Sequence, residues 1–470
     1  MFENSAFWLF TATVFVGLLL PVLVQQGMFL DGVSYACIAR NMANGLGSFS
    51  KPFYTVALYP VCHEQPPLVF WLQSQLFKVF GDHFWVERLY SFCMAVITAI
   101  GIVLNFQLFQ KAKAPFSSVL PKFALNSGNA WLPVLIWVTA PIVIWSYQNN
   151  MLECTMSVFV LFSTYFAVKA VMEKKFLWLL IAAILTTLGV LCKGPVGFFP
   201  VMAPLAVGVA FHGKRIKWEA GASVLMFAMV VTLLAAFVLF LPGMLEYMND
   251  YLQTRLLPTL SGNRDESADS RLHFLFDLVS QFALPVLVVI LLLWKQGFKT
   301  LVLPKSALFF FLVGLAGTFP LILSPKQSTH YLLPAIPFFA LGLGAMTAAG
   351  FRLLEASIMR RVGVEKIAWL VLVASIGISL SFWGKYRRDE STMKDVRAIC
   401  QMVSTGTILG VAPHFSSNWK LIAYFGRLGN VGLDSREQHD FYLTEKGGQA
   451  PEGYDAVWTG AIEYEIWHRK

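Results

Sequence analysis

Apolar runs long enough to cross a bilayer recur along the whole chain, separated by short polar breaks. A helix rises about 1.5 Å per residue, so about 20 apolar residues span a hydrocarbon core roughly 30 Å thick. Runs at 7–24, 89–109, 131–147, 152–171, 176–193, 196–212, 220–241, 274–294, 306–323, 330–350 and 367–383 predict about eleven transmembrane helices. The first long polar break, 25–88, has a pattern of its own. In "DGVSYACIARNMANG" the apolar positions Val33, Ala36, Cys37, Ile38 and Met42 form one broad face, and Asn44-Gly45 is a stop signal. "PPLVFWLQSQLFKVFG" opens on prolines suited to a helix start and closes on Gly81, with Leu68, Leu72, Leu76 and Val79 predicted on one face. Both read as helices lying in the membrane interface.

After Trp383 the pattern changes. "KYRRDESTMKDVRAIC" is followed by the short β-like runs "GTILGVA", "NVGLD" and "DAVWTG" between Gly, Pro and Asp. The expectation is an all-α polytopic membrane domain over 1–384 and a small external α/β domain over 385–470, serving as a cap or interaction module.

Composition agrees with the pattern. The chain has 470 residues, 57% hydrophobic and 13% charged, with a mean hydropathy of +0.62, which excludes an ordinary soluble domain. The leader "MFENSA" lacks Lys and Arg and no A-x-A-like site follows the first apolar run, so that run is expected to be a retained helix rather than a signal peptide. Lys and Arg concentrate in the short loops 110–130, 169–175, 213–218, 295–305 and 351–366, which makes these cytoplasmic and places the loops 25–88 and 242–273 outside. The net charge of +9 is mostly this topogenic charge, and no basic-aromatic patch points to nucleic acid. The six cysteines show no C-x-x-C or zinc-finger spacing and read as small apolar fillers; a Cys37–Cys62 disulfide in the first external loop stays open.

With so few charges, those beside apolar runs stand out. Asp31 follows the first run and suits a helix N-cap, but a carboxylate there can also take a proton from an acceptor. Glu64, in "HEQPP", suits a first helical turn, and with His63 offers nitrogen and oxygen ligands for a divalent metal. Glu153, in "YQNNMLECTM", enters an apolar run, where an acid has few purely structural reasons to be. Lys193 in "LCKGPVGFFP" is either a snorkelling lysine or an anion ligand, and Lys326 and His330 in "SPKQSTHYLLP" carry the same alternatives. Arg255, Arg264, Arg271 and His273 lie in or beside the loop 242–273; arginine grips phosphate bidentately, although solvated loop charge is its ordinary role.

Asp31, "YACIARNM", "HEQPPLVFWLQSQLFKVFG", "WVERLYS", "KGPVGFFP" and "KQSTHYLLPAIPFFAL" occur in that order over roughly 1–350. Together they resemble the bacterial membrane glycosyltransferases of the C-type fold, the group of the protein O-mannosyltransferases and the aminoarabinose lipid A transferases. The resemblance implies a polyprenyl-phosphate sugar donor, a lipid, protein or glycan acceptor, and transfer on the periplasmic face of the inner membrane. It implies Asp31 as the carboxylate that activates the acceptor hydroxyl, and Glu153 as a second catalytic acid where the family usually has Asp. Tyr35, Glu64, Lys193, Arg264, Arg271, Lys326 and His330 are the implied substrate-binding residues. A divalent metal is a candidate cofactor, with His63, Glu64 and His273 as its ligands. Two positions depart from the pattern: Gln65 stands where the family has lysine, and Cys62 where it has tyrosine.

A transporter or flippase would also have many helices, but would more often show broken midplane helices and internal repeats, and the sequence shows no convincing repeat. A non-catalytic scaffold is disfavoured by the acids and bases gathered toward one predicted side. The predicted topology is testable by labelling. A single cysteine placed in 110–130 should react with an impermeant thiol reagent only after the membrane is opened, and one in 242–273 should react from outside; the reverse pattern inverts the topology.

Overall fold

The structure, a computed structural model, describes residues 5–57, 59–110, 129–213, 216–261, 271–287, 290, 303–324, 327–359, 363–458, 460 and 462–470. It is mostly helical with a small C-terminal mixed sheet, and it divides into two compact units. The elements that matter for the site are helices α1 (Ser5–Leu23), α2 (Leu30–Ala43), α3 (Leu68–Phe80), α4 (Val86–Gln110), α5 (Trp131–Val138), α6 (Pro141–Gln148), α7 (Leu152–Glu173) and α8 (Phe176–Lys193).

The first unit comprises residues 1–21, 91–148 and 152–381. Among the described residues, seven helical stretches are long and apolar enough to cross a membrane: 6–23, 86–109, 152–173, 176–193, 195–212, 217–240 and 305–322. An eighth is the pair α5 and α6, bent by 72° at Thr139-Ala140. Pro141 explains the bend, because it has no N–H to give the preceding turn and its ring clashes there. The stretch 195–212 winds as a 3-10 helix (Pro195–Met202), a short α-helix (Ala203–Val207) and a π turn (Gly208–His212), with Pro200 and Pro204 within it. Of the other expected runs, 274–294 lies partly outside the described residues, 330–350 becomes the helix Ile336–Met359 after a 3-10 turn, and 367–383 becomes the 17-residue helix Val364–Leu380. The chain is thus an integral membrane protein.

The second unit joins residues 22–90 and 149–151 to 382–470. Its α2 is buried almost all round, from Gly32 and Val33 through Tyr35–Met42. The predicted face of α3 is displaced: Val79 is 74% exposed, while Leu68, Val69, Phe70, Gln73, Ser74 and Phe77 are buried. Two polar residues sit on that buried face because they have hydrogen-bond work there, described below. A C-terminal helix, Trp419–Gly429, packs on α2, with Arg40 donating to the Gly426 carbonyl. A Cβ at Gly426 would come within 3.0 Å of Cys37 Sγ, so glycine allows this close approach.

Five strands, β1 (Ile408–Val411), β2 (Gly432–Asp434), β3 (Phe441–Glu445), β4 (Tyr454–Trp458) and β5 (Tyr464–Arg469), form one sheet in the order β2-β1-β3-β5-β4. β1 runs parallel to β2 and β3, and β5 runs antiparallel to β3 and β4. β3 and β5 had no counterpart among the predicted runs. Asp395, from the helix Glu390–Met402, accepts the backbone N–H groups of Ile462, Glu463 and Tyr464 at 3.1, 2.6 and 3.0 Å, and so anchors the start of β5.

Charge is buried here only in company. Arg427 donates to Asp82 at 2.6 Å and to Glu87 at 3.1 Å, with the side chains of Arg427 and Glu87 7% and 5% exposed. Burial works against the guanidinium charge, but the charges of Glu87 and Asp82 more than offset it and raise its pKa. Arg427→Met should leave Glu87 buried without its counter-charge and cost about 3–5 kcal/mol. A thermal midpoint in detergent well below that of the parent is the expected result.

Candidate active site

Three side chains that the sequence singled out separately come together in the first unit. Glu153 lies in the first turn of α7, Lys193 is the last residue of α8, and His330 is in a 3-10 turn, Thr329–Leu332. Lys193 Nζ is 3.1 Å and His330 Nε2 is 3.8 Å from Glu153 Oε1. The Glu153 side chain is 1% exposed and its oxygens accept no hydrogen bond of good geometry among the described residues. An isolated carboxylate so enclosed is strongly disfavoured, so the charge of Lys193 is what permits it there.

Local sequence explains where each group stands. Helix α8 stops at Lys193 because Gly194 turns the chain at φ 88° and Pro195 cannot continue it. The positive φ favours glycine there, and a Cβ at Gly194 would also lie 2.5 Å from Tyr251 Oη and displace that ring. Lysine at a helix C-terminus also complements the helix dipole, and its ammonium lies 5.4 Å from the Tyr331 ring centre. The His330 ring stacks on Trp145 with centroids 5.8 Å apart, while Thr329 Oγ1 donates to Asp277 Oδ2 at 2.7 Å and holds the turn. Trp145, Asp277, Thr329 and Tyr331 were not singled out in the sequence. Thr329 and Tyr331 flank His330 in the sequence, whereas only the fold brings Trp145 and Asp277 to this turn.

Asp31 belongs to the second unit. It is the second residue of α2 and not the N-cap, a position held by Phe29. The first-turn position still suits a carboxylate, because unsatisfied N–H groups and the helix dipole favour negative charge there. The seat of this turn is built from "QNNM". Asn149 Oδ1 accepts the Phe29 N–H at 2.8 Å, and a Cβ at Gly32 would meet the Asn149 carbonyl at 2.1 Å. Asn150, at φ 53°, is bonded to Gln73 of α3 through its amide at 3.0 Å. Asparagine tolerates this left-handed conformation better than most residues. Asp31 itself is half-buried. Ser34, on the next turn, shares a 2.9 Å hydrogen bond with the hydroxyl of the buried Tyr54. Burial, followed by the charges of nearby thiol and carboxyl groups, Asp31 among them, holds the Tyr54 phenol well above its usual pKa.

Tyr35 is buried with its ring 5.8 Å from that of Phe70. His63 and Glu64 are half-buried in the turn before α3, where His63 Nε2 lies 3.3 Å from the Ser50 carbonyl. Arg264 and Lys326 lie outside the described residues, and Arg271 and His273 are described only as backbone positions in the helix Arg271–Ser280. Among the described residues no three His, Cys, Asp or Glu side chains gather as a metal site. Cys37 and Cys62 are both buried and are not joined in a disulfide.

Residues 64–244 match the family model described as dolichyl-phosphate-mannose-protein mannosyltransferase. The fold matches that of ArnT from Cupriavidus metallidurans bound to undecaprenyl phosphate, with TM-score 0.63 and 14% identity, over 98% of this chain and 97% of that one. The apo form of the same protein matches with TM-score 0.58 and 13% identity, over 97% and 95% of the two chains. Over residues 64–244 the chain thus resembles this glycosyltransferase family, and its fold is that of ArnT. No curated protein matches the sequence at a significant level. The match favours the glycosyltransferase reading over the transporter and scaffold alternatives, and the order of the motifs from Asp31 to "KQSTHYLLP" was a sound guide to the fold.

Lys193→Met should destabilise the protein by about 3–5 kcal/mol, because it leaves Glu153 buried and uncompensated. Adding Glu153→Gln should recover much of that loss. A double-mutant cycle on thermal midpoints in detergent measures the coupling; strictly additive effects would show that the pair does not interact.

Proposed function

We propose that this protein is a glycosyltransferase that moves a sugar from a polyprenyl phosphate to an acceptor hydroxyl or phosphate at the periplasmic face of the bacterial inner membrane. The acceptor classes are lipid A, protein and glycan. The observation that carries this reading is the seat of Asp31, a half-buried carboxylate fixed at a helix start by Gly32, Asn149 and Asn150 in a chain with this fold. The donor class is supported by the related ArnT, which holds undecaprenyl phosphate.

In the proposed step Asp31 removes the proton of the acceptor hydroxyl as its oxygen attacks the anomeric carbon. The bond from that carbon to the phosphate oxygen breaks, and the electron pair leaves with the lipid phosphate. A single displacement of this kind inverts the anomeric configuration. Lys193, His330, Arg264, Arg271 and Lys326 are the proposed ligands of the departing phosphate, since cations aimed where negative charge develops lower the barrier. Glu153 then holds Lys193 and His330 in place, a positioning role that suits its enclosure. Glu64 is proposed to contact the sugar, and Tyr35 to contribute by seating α2 against Phe70. Gln65 removes one positive charge near the donor, so the remaining cations carry more of the phosphate.

Asp31→Asn should lower the transfer rate by about 10²–10⁴-fold with an unchanged thermal midpoint, the effect expected of a lost general base. Cells lacking the protein should accumulate the polyprenyl-phosphate sugar in their lipid extracts, and Asp31→Asn should fail to reverse this. An Asp31→Asn protein that consumes donor at the parental rate sinks the assignment.

A further inference from the structure

The second unit bears a half-open cavity of about 300 Å³ that the proposed transfer does not use. It lies among the segment after α1, the turn Asp82–Phe84, the start of α4 and the helices Glu390–Met402 and Trp419–Gly429. Asp31, Glu64 and Tyr35 are not among its lining residues. Three guanidinium groups line it, those of Arg88, Arg397 and Arg427, against the two carboxylates of Asp82 and Glu87. Both carboxylates are engaged by Arg427, at 2.6 and 3.1 Å. Arg397 instead donates to neutral oxygens, the Tyr386 hydroxyl at 2.7 Å and the Gln26 amide. Arg88 donates to the Gly27 carbonyl at 2.5 Å.

The cavity thus combines three guanidinium groups against two carboxylates, one of those groups held by neutral oxygens, with room for a small molecule.

We propose that this cavity binds a phosphate ester, with Arg397 among the groups that receive its oxygens. A guanidinium fork matches tetrahedral phosphate oxygens, and a cation held by neutral partners keeps its charge for a ligand. The ester comes either free in solution or as the headgroup of an anionic lipid, since the chain lives in a membrane. The site is additional to the transfer reaction and does not depend on it.

The full chain decides the matter in two arms. Glycerol 3-phosphate is titrated calorimetrically into protein in neutral detergent, and thermal midpoints are compared in nanodiscs of phosphatidylglycerol and of phosphatidylcholine. Saturable binding in the first arm identifies a free ester. A rise of several degrees in phosphatidylglycerol alone identifies a headgroup. In either case Arg397→Gln should weaken binding at least tenfold, or abolish the rise, while donor consumption stays parental. Leu428→Trp, which narrows the cavity without touching an arginine, should have the same effect and serves if Arg397→Gln fails to fold. Absence of binding in both arms, or binding unaltered in both variants, overturns the proposal.

Discussion

An ionised carboxylate enclosed by apolar helices must bring its own counter-charge, and the first unit is arranged around that requirement. Glu153 has Lys193 at 3.1 Å because α8 ends where α7 begins its first turn, and α8 ends there because Gly194 and Pro195 forbid another turn. The same reversal favours glycine beside Tyr251, and the neighbouring turn with His330 is held by Thr329 and Asp277. One ion pair thus links the ends of two helices to a turn more than a hundred residues away. Moving any of them changes the environment of the carboxylate.

The second unit meets the same constraint with arginine. Arg427 satisfies Glu87 and Asp82 together, which ties the C-terminal segment to the loop that carries Asp31. Arginine suits the task because its planar fork serves two carboxylates at once and stays charged when buried. Asp31 itself is placed by backbone geometry. Gly32 lets the chain of Asn149 approach, and Asn150 spans to Gln73 in a conformation asparagine tolerates. These contacts leave little freedom at the first turn of α2, the condition that the general base proposed there would need.

The boundaries of α2, α3, α7 and α8 were close to legible because their stop signals are local: Asn44-Gly45, Gly81 and Gly194-Pro195 act through the conformations those residues allow. The buried face of α3 was not legible from apolar spacing. Gln73 and Ser74 face inward because Gln73 meets Asn150 and Ser74 bonds back to the Trp71 carbonyl, and neither partner shows in the spacing of leucines. The bend between α5 and α6 was missed as an uninterrupted run, although Pro141 is its cause. Strands β3 and β5 were missed because their sequences, "FYLTE" and "YEIWHR", mix charge into the pattern, and their pairing to each other is what makes them strands.

The sequence by itself determined that the chain lives in a membrane, where its long helices run, and which acids and bases are too costly to be there by accident. It did so because apolar length, glycine and proline, and the expense of charge in hydrocarbon act locally. Only the tertiary structure decided that Glu153, Lys193 and His330 are one cluster, and that the C-terminal segment shares a compact unit with the Asp31 loop. Side chains far apart in sequence become partners through packing, and the energy of a buried charge depends on the partner it meets.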